Sequence, residues 1–334
     1  MKKLFVLLTI ILIIASCSKP KEKTTASNSY KLIQAAAQKS FATLPETMPG
    51  SEKGSPELIE LGKKLYFEKR LSFNNTMSCN SCHVLDNNKA GVDNLPTSPG
   101  AKKGTHGTRN SPTVLNAGFQ FAQFWDGREP DLASQAKGPI LNPVEMGMPS
   151  KHAVEKKLAK ISEYKNLFKK AFPKDGKITF ERITNAIAAF ERTLITHDRF
   201  DDFLSGNIKA LSNEEIEGLD LFIKNACTTC HTGSLLGGNM YQKMGLMKPY
   251  KNNKDLGRFE VTKKESDKFV FKVPTLRNIA LTGPYFHDGG VSSLKEAVIL
   301  MGDIQLGKKI TETDADKIVK FLNSLTDKKL ASIK

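Results

Sequence analysis

Apolar positions recur at helical spacing in several stretches of the chain, and helix-start signals stand where they begin. Ser55 and Pro56 precede Leu58, Leu61 and Leu65, with proline suited to the first helical position. Ile183, Ile187, Phe190 and Leu194 form a further stripe. Ser212 with Glu215 makes a capping box ahead of Ile216, Leu219 and Phe222, and Ser293 with Glu296 repeats the device ahead of Val298 and Met301, placing Met301 at a helix end just before Gly302. Ile318, Phe321, Leu322 and Leu325 close the chain with an amphipathic helix. No series of alternating strands accompanies them, so the predicted class is mainly α.

The amino terminus follows another pattern. Met1, Lys2 and Lys3 precede an apolar segment, Leu4 to Ile14, broken only by Thr9, which reads as an export signal. Ile14, Ala15, Ser16 and Cys17 then resemble the bacterial lipoprotein signal, in which cleavage leaves the cysteine first and lipid joins its sulfur; the competing reading is an ordinary secretory peptide with a chance cysteine. Residues 1–16 are accordingly expected to be a signal peptide and Cys17 a membrane anchor. Ser18 to Ser29 are polar and without period, which predicts a flexible tether over 17–45, its polar part spanning roughly 20 Å. Ser18 in place of aspartate resembles the outer-membrane sorting pattern. Beyond residue 17 no apolar run reaches the roughly 18 to 20 residues that cross a bilayer.

A length of 334 residues predicts two domains. With 39% hydrophobic and 25% charged residues the chain is globular, neither collagen-like nor wholly disordered. Lys+Arg 50 against Asp+Glu 35 gives a formal charge of +15, but the lysines are scattered among acids. No nucleic-acid partner is expected, since a basic surface can equally favour an acidic protein partner or an anionic membrane.

The other four cysteines occur as Cys79-Asn-Ser-Cys82-His83 and Cys227-Thr-Thr-Cys230-His231. Two thiols three residues apart add across the two vinyl groups of one porphyrin, and the adjacent imidazole falls under the iron, so each motif attaches one haem c. Zinc ribbons and disulfides also use paired cysteines, yet neither requires histidine after both pairs. His83 and His231 lie about one domain length apart, which predicts two cytochrome c-like helical domains, 46–195 and 196–328, each with one covalent haem, and a tail over 329–334. The sixth iron position then decides between electron transfer and chemistry. Met240, Met244, Met247 and Met301 are thioether candidates for the second haem; Met146 and Met148 allow the same ligation at the first.

From Glu57 to Leu325 the chain resembles the bacterial dihaem cytochrome c peroxidases. The resemblance is carried by CNSCH, GVDNLPTS, RNSPTVLNA, FAQFWDGR, the QAKGPI run with a following glutamate, CTTCH, LRNIALTGPYFHDGG and AVILMG. It implies a peroxidatic first haem and an electron-storing second haem with His231 and Met301 as axial ligands. It matches Trp125 to a tryptophan between the haems, and Gln135 and Glu145 to the pair that handles peroxide, Glu145 as acid/base. It also implies a calcium ion held by the side chain of Asn110 and the carbonyls of Thr282 and Pro284, a homodimer, a periplasmic location, and a small cytochrome c or cupredoxin as donor of electrons for hydrogen peroxide.

One position departs from the pattern. Where many relatives carry a histidine that caps the peroxidatic haem, this chain has Ala101, with His106 five residues downstream among Gly100, Gly104 and Gly107. Either His106 gates the haem or the site stays open. Two other functions compete: a non-enzymatic dihaem electron carrier, using Met146 or Met148, and a dihaem oxidase that matures a protein cofactor, a group expected to have tyrosine at the position of Met301.

Overall fold

The computed structural model describes residues 21–86 and 89–332, with the backbone alone over 21–27. Cys17 and the export segment lie outside these residues. In chain order the helices are α1 (Lys21–Ser40), α2 (Pro56–Tyr66), α3 (Leu132–Leu141), α4 (Lys151–Ala159), α5 (Ser162–Ala171), α6 (Phe180–Glu191), α7 (Arg199–Leu204), α8 (Asn213–Lys224), α9 (Phe259–Thr262), α10 (Leu294–Leu306), α11 (Glu312–Asn323) and α12 (Lys328–Ala331). The strands are β1 (Tyr241–Lys243) and β2 (Val270–Lys272), a single antiparallel ribbon in which Gln242 faces Phe271. Among the described residues the fold is mainly α, as the periodicity predicts.

Two cores organise the chain. In the first, α2 crosses α6, with Leu61, Leu65, Ile183 and Ile187 sealed between them and Phe168 and Phe180 closing the far side. In the second, α8 crosses α11, joining Leu219 and Phe222 to Ile318 and Phe321. Each crossing turns on one glycine. A Cβ on Gly62 would lie 1.8 Å from the carbonyl oxygen of Ala186, and one on Gly218 would lie 1.9 Å from that of Lys317. Neither approach tolerates a side chain, because backbone occupies the space.

The predicted caps are largely in place. Ser55 accepts from Leu58 N with Pro56 at the first turn, and Ser212 and Glu215 close a reciprocal box. Ser293 accepts from Glu296 N, but α10 runs on to Leu306, so Met301 and Gly302 are interior to it rather than at its end.

The tether is corrected. Lys21–Ser40 are helical, and Ala37, Phe41 and Leu44 are buried, with Ala37 and Phe41 inside the second core. Tyr30, Ile33, Ala37 and Phe41 recur three or four apart, an apolar stripe that polar neighbours conceal and that tertiary contact selects. Gln34 and Gln38 donate to the carbonyls of Phe203 and Leu204, fastening α1 to α7. Residues 30–41 therefore pack into the second core. The expected tail also begins inside a helix, α12, which Asp327 caps.

Candidate functional site

Both cysteine motifs fold into the same single turn. His83 N donates to Cys79 O and His231 N to Cys227 O, each at 3.0 Å, so the two sulfurs and the imidazole of each motif are gathered within one turn. The carbonyl of Pro112 lies 2.9 Å from His83 Nδ1, and that of Leu236 lies 3.0 Å from His231 Nδ1. A carbonyl can only accept, so each ring carries its proton on Nδ1 and presents Nε2 as a lone pair. Burial pushes both imidazoles toward the neutral form that binds iron.

Among the described residues no disulfide joins these four cysteines, which counts against the disulfide alternative. Burial pushes Cys82 and Cys227 up to about 11, and Cys79 higher still. Both motifs open into cavities, of about 460 Å³ around Cys79, Cys82 and His83 and about 230 Å³ around Cys227, Cys230 and His231. Paired sulfurs, a neutral imidazole and an adjoining cavity fit a covalently held haem in each half.

The first cavity is the more polar. From α3 it receives Gln135 and Ala136, then Pro139 and Ile140, one face of a helix that Asp131 caps. The turn after α3 brings Glu145 and Met146 to the same cavity, fixed by Glu145 N to Asn142 O at 3.0 Å and Ala101 N to Glu145 O at 2.7 Å. Burial pushes the Glu145 carboxyl upward, opposed by the charge of Arg128 and a hydrogen bond with Asn142. Met148, by contrast, lies in the first core and does not reach the cavity. His106 is exposed, paired through backbone with Pro99, and is not part of the cavity wall.

The second cavity is lined by α10 through Leu294, Val298, Met301 and Gln305, positions three or four apart on one face. Met301 thus shares a cavity with His231. Met244 also lines it, Met240 does not, and Met247 is 61% exposed. Asn110, Thr282 and Pro284 line this cavity as well. Their oxygens are neutral donors of the kind a hard cation takes.

Trp125 lies in the wall shared by both cavities, with Asn110 to Thr113 and Phe124. Its Nε1 donates to Asn110 O at 2.9 Å. An ion network beside it joins the halves: Arg109 meets Asp126 at 2.6 Å and Asp255 at 2.6 Å, and Arg128 also reaches Asp126. Removing Arg109 would leave Asp255 without its cation, while Asp126 keeps Arg128. Arg109→Met is therefore expected to lower stability by about 3–5 kcal/mol, read by chemical denaturation of the haem-loaded protein. A loss below about 1 kcal/mol, the range of an exposed pair, would show the network to be idle.

Sequence reasoning missed several residues here. Glu191, at the end of α6, lines the first cavity with Oε2 unbonded, and burial pushes it up to about 8. His287 is buried, stacked on Phe271 at 4.2 Å, with Nε2 unbonded. Lys272, buried on β2, lines the second cavity. In the sequence Glu191 and Lys272 are isolated polar residues whose default place is the surface, so only tertiary placement reveals them, whereas His287 lies within the matching LRNIALTGPYFHDGG segment but carries no ligand role there.

Comparison with known proteins agrees with this geometry. A family model described as di-haem cytochrome c peroxidase matches residues 56–209. Cytochrome c551 peroxidase of Nitrosomonas europaea is 50% identical over 273 residues, 81% of this chain and 80% of that one. The cytochrome c551 peroxidase of Pseudomonas aeruginosa is 48% identical over 297 residues, 86% and 84% of the two chains. Among solved structures, a MauG-like protein associated with microbial copper homeostasis superposes with a TM-score of 0.77 at 28% identity, covering 86% of this chain and 94% of its own. The chain belongs to the di-haem cytochrome c peroxidase family.

Proposed function

We propose that this peroxidase reduces hydrogen peroxide in the first cavity and keeps its second electron in the other. The supporting observation is the inequality of the two cavities: the first is lined by the carboxyls of Glu145 and Glu191 beside Gln135, the second by no carboxyl at all and by Met301 on one face of α10. Haems held by Cys79, Cys82 and His83 and by Cys227, Cys230 and His231 would supply the two electrons of H2O2 + 2H⁺ + 2e⁻ → 2H2O. Glu145 accepts a proton from one peroxide oxygen and returns it to the departing one, and Gln135 holds peroxide by hydrogen bonding without a competing proton. Trp125 stands in the partition through which the two cavities communicate. Met301, ahead of Met244, would hold the iron of the storing haem together with His231, because α10 aims a whole face of side chains into that cavity.

Asn110, Thr282 and Pro284 would hold a calcium ion at the second cavity. The electron donor is a small cytochrome c or cupredoxin, the assembly a homodimer, and the location extracytoplasmic with a lipid on Cys17. Support for export is the segment Lys2 to Cys17 together with haem attachment outside the cytoplasm; no helix among the described residues is long and apolar enough to cross a membrane. Steady-state consumption of peroxide by the haem-loaded protein with reduced cytochrome c tests the reading, and absence of turnover would leave only an electron carrier.

Because His106 is exposed and outside the cavity wall, the first site is read as open rather than gated. Electron paramagnetic resonance of the fully oxidised protein should show a high-spin, five-coordinate haem. Wholly low-spin signals that disappear in His106→Ala would reverse this assignment.

A further inference from the structure

The wall of the second cavity carries an unbalanced charge. It contains the lysines Lys243 and Lys272 and no aspartate or glutamate. Lys243 is exposed at the ribbon edge, where water solvates it. Lys272 is 6% exposed; its Nζ donates to Gln120 Oε1, and it has no carboxylate partner among the described residues. Burial pushes its ammonium down to about 8. A buried cation held by one neutral amide is under-compensated, since removal from water is offset only by a close anion.

The placement of Lys272 is also fixed. Its backbone N donates to Trp125 O at 2.7 Å, and Gln120 is itself buried five residues before Trp125. The ammonium is thus anchored from both sides, at the edge of the partition. A haem carries two propionates, and in a cavity without acidic side chains these are the anions available.

We propose that Lys272 is the counter-cation of a propionate of the second haem, a positioning residue that seats this haem and raises its reduction potential. The proposal rests on haem filling the second cavity. A positive charge held near the iron favours the electron-rich state; removing it makes reduction harder.

The test compares haem-loaded Lys272→Met, Lys272→Arg and Lys243→Met with the parent, measuring haem content by pyridine haemochrome and each midpoint by spectroelectrochemical titration. Lys272→Met should keep two haems and shift the second-haem reduction equilibrium about tenfold toward the oxidised form, equal to 59 mV for one electron. The first midpoint should stay in place, Lys272→Arg should recover most of the shift, and Lys243→Met should move little. Two bound haems with both midpoints unmoved in Lys272→Met would overturn the proposal and make Lys272 a prop for β2. An equal shift in Lys243→Met would overturn it too, in favour of diffuse surface charge. Should methionine prevent folding, Lys272→Gln carries the same comparison. A parent protein without a second haem would instead sink the underlying reading, so the two failures are distinct.

Discussion

Glu145→Gln should lower the rate of peroxide turnover by roughly 10²- to 10⁴-fold, the span that a positioned proton-transfer group contributes. The substitution keeps size and hydrogen bonding and removes only the basic oxygen, so binding of peroxide beside Gln135 should persist. Burial raises the wild-type carboxyl above its ordinary value, against the pull of Arg128. As a base it acts ionised, so wild-type turnover should decline as pH falls through that raised value. The glutamine variant should lack this acid limb. Stopped-flow measurement of the reaction with peroxide across pH checks both statements; an unaltered rate, or an acid limb that survives in the variant, would remove Glu145 from the proton pathway.

Met301→His should produce the other large effect. Thioether ligation raises a haem potential relative to bis-imidazole ligation, and axial ligands as a class span about 0.8 V. Exchange of sulfur for imidazole should therefore lower the second-haem midpoint by a substantial part of that range and end turnover with a high-potential donor. The near-infrared band of the His/Met pair should vanish with it. Were the same substitution to leave the midpoint and the band in place, with Met244→Leu removing them, Met244 would be the ligand instead. This comparison is informative because both methionines line the second cavity.

Much of the site is legible before folding, for reasons that are local. A haem attachment motif needs two thiols and an imidazole in one turn, and Cys79–His83 and Cys227–His231 carry that geometry in their spacing. Capping at Ser55 and Ser212 is likewise a contact within four residues. What sequence does not carry is the choice among equals. Met240, Met244, Met247 and Met301 are all thioether candidates by residue type, and it is the fold that puts Met301 and Met244 in the second cavity and leaves Met247 exposed. The ribbon of β1 and β2 has three residues per strand, too few for alternation to appear. Helix α1 was concealed for the opposite reason, since its lysines, serines and glutamines outvote a thin apolar stripe that counts only once α7 and α8 lie beneath it. Glu191 and Lys272 read as surface charges because the cost of burying them is invisible until their surroundings are known.

The partition that contains Asn110 to Thr113, Phe124 and Trp125 belongs to both chambers at once. Any inherited change in it is felt twice, in the pocket that meets the oxidant and in the pocket that supplies it. The outer walls can diverge separately, one lineage exchanging a thioether, another a carboxyl, while this short stretch must satisfy two masters. Variation among descendants should therefore thin out along the shared wall and accumulate on either side of it.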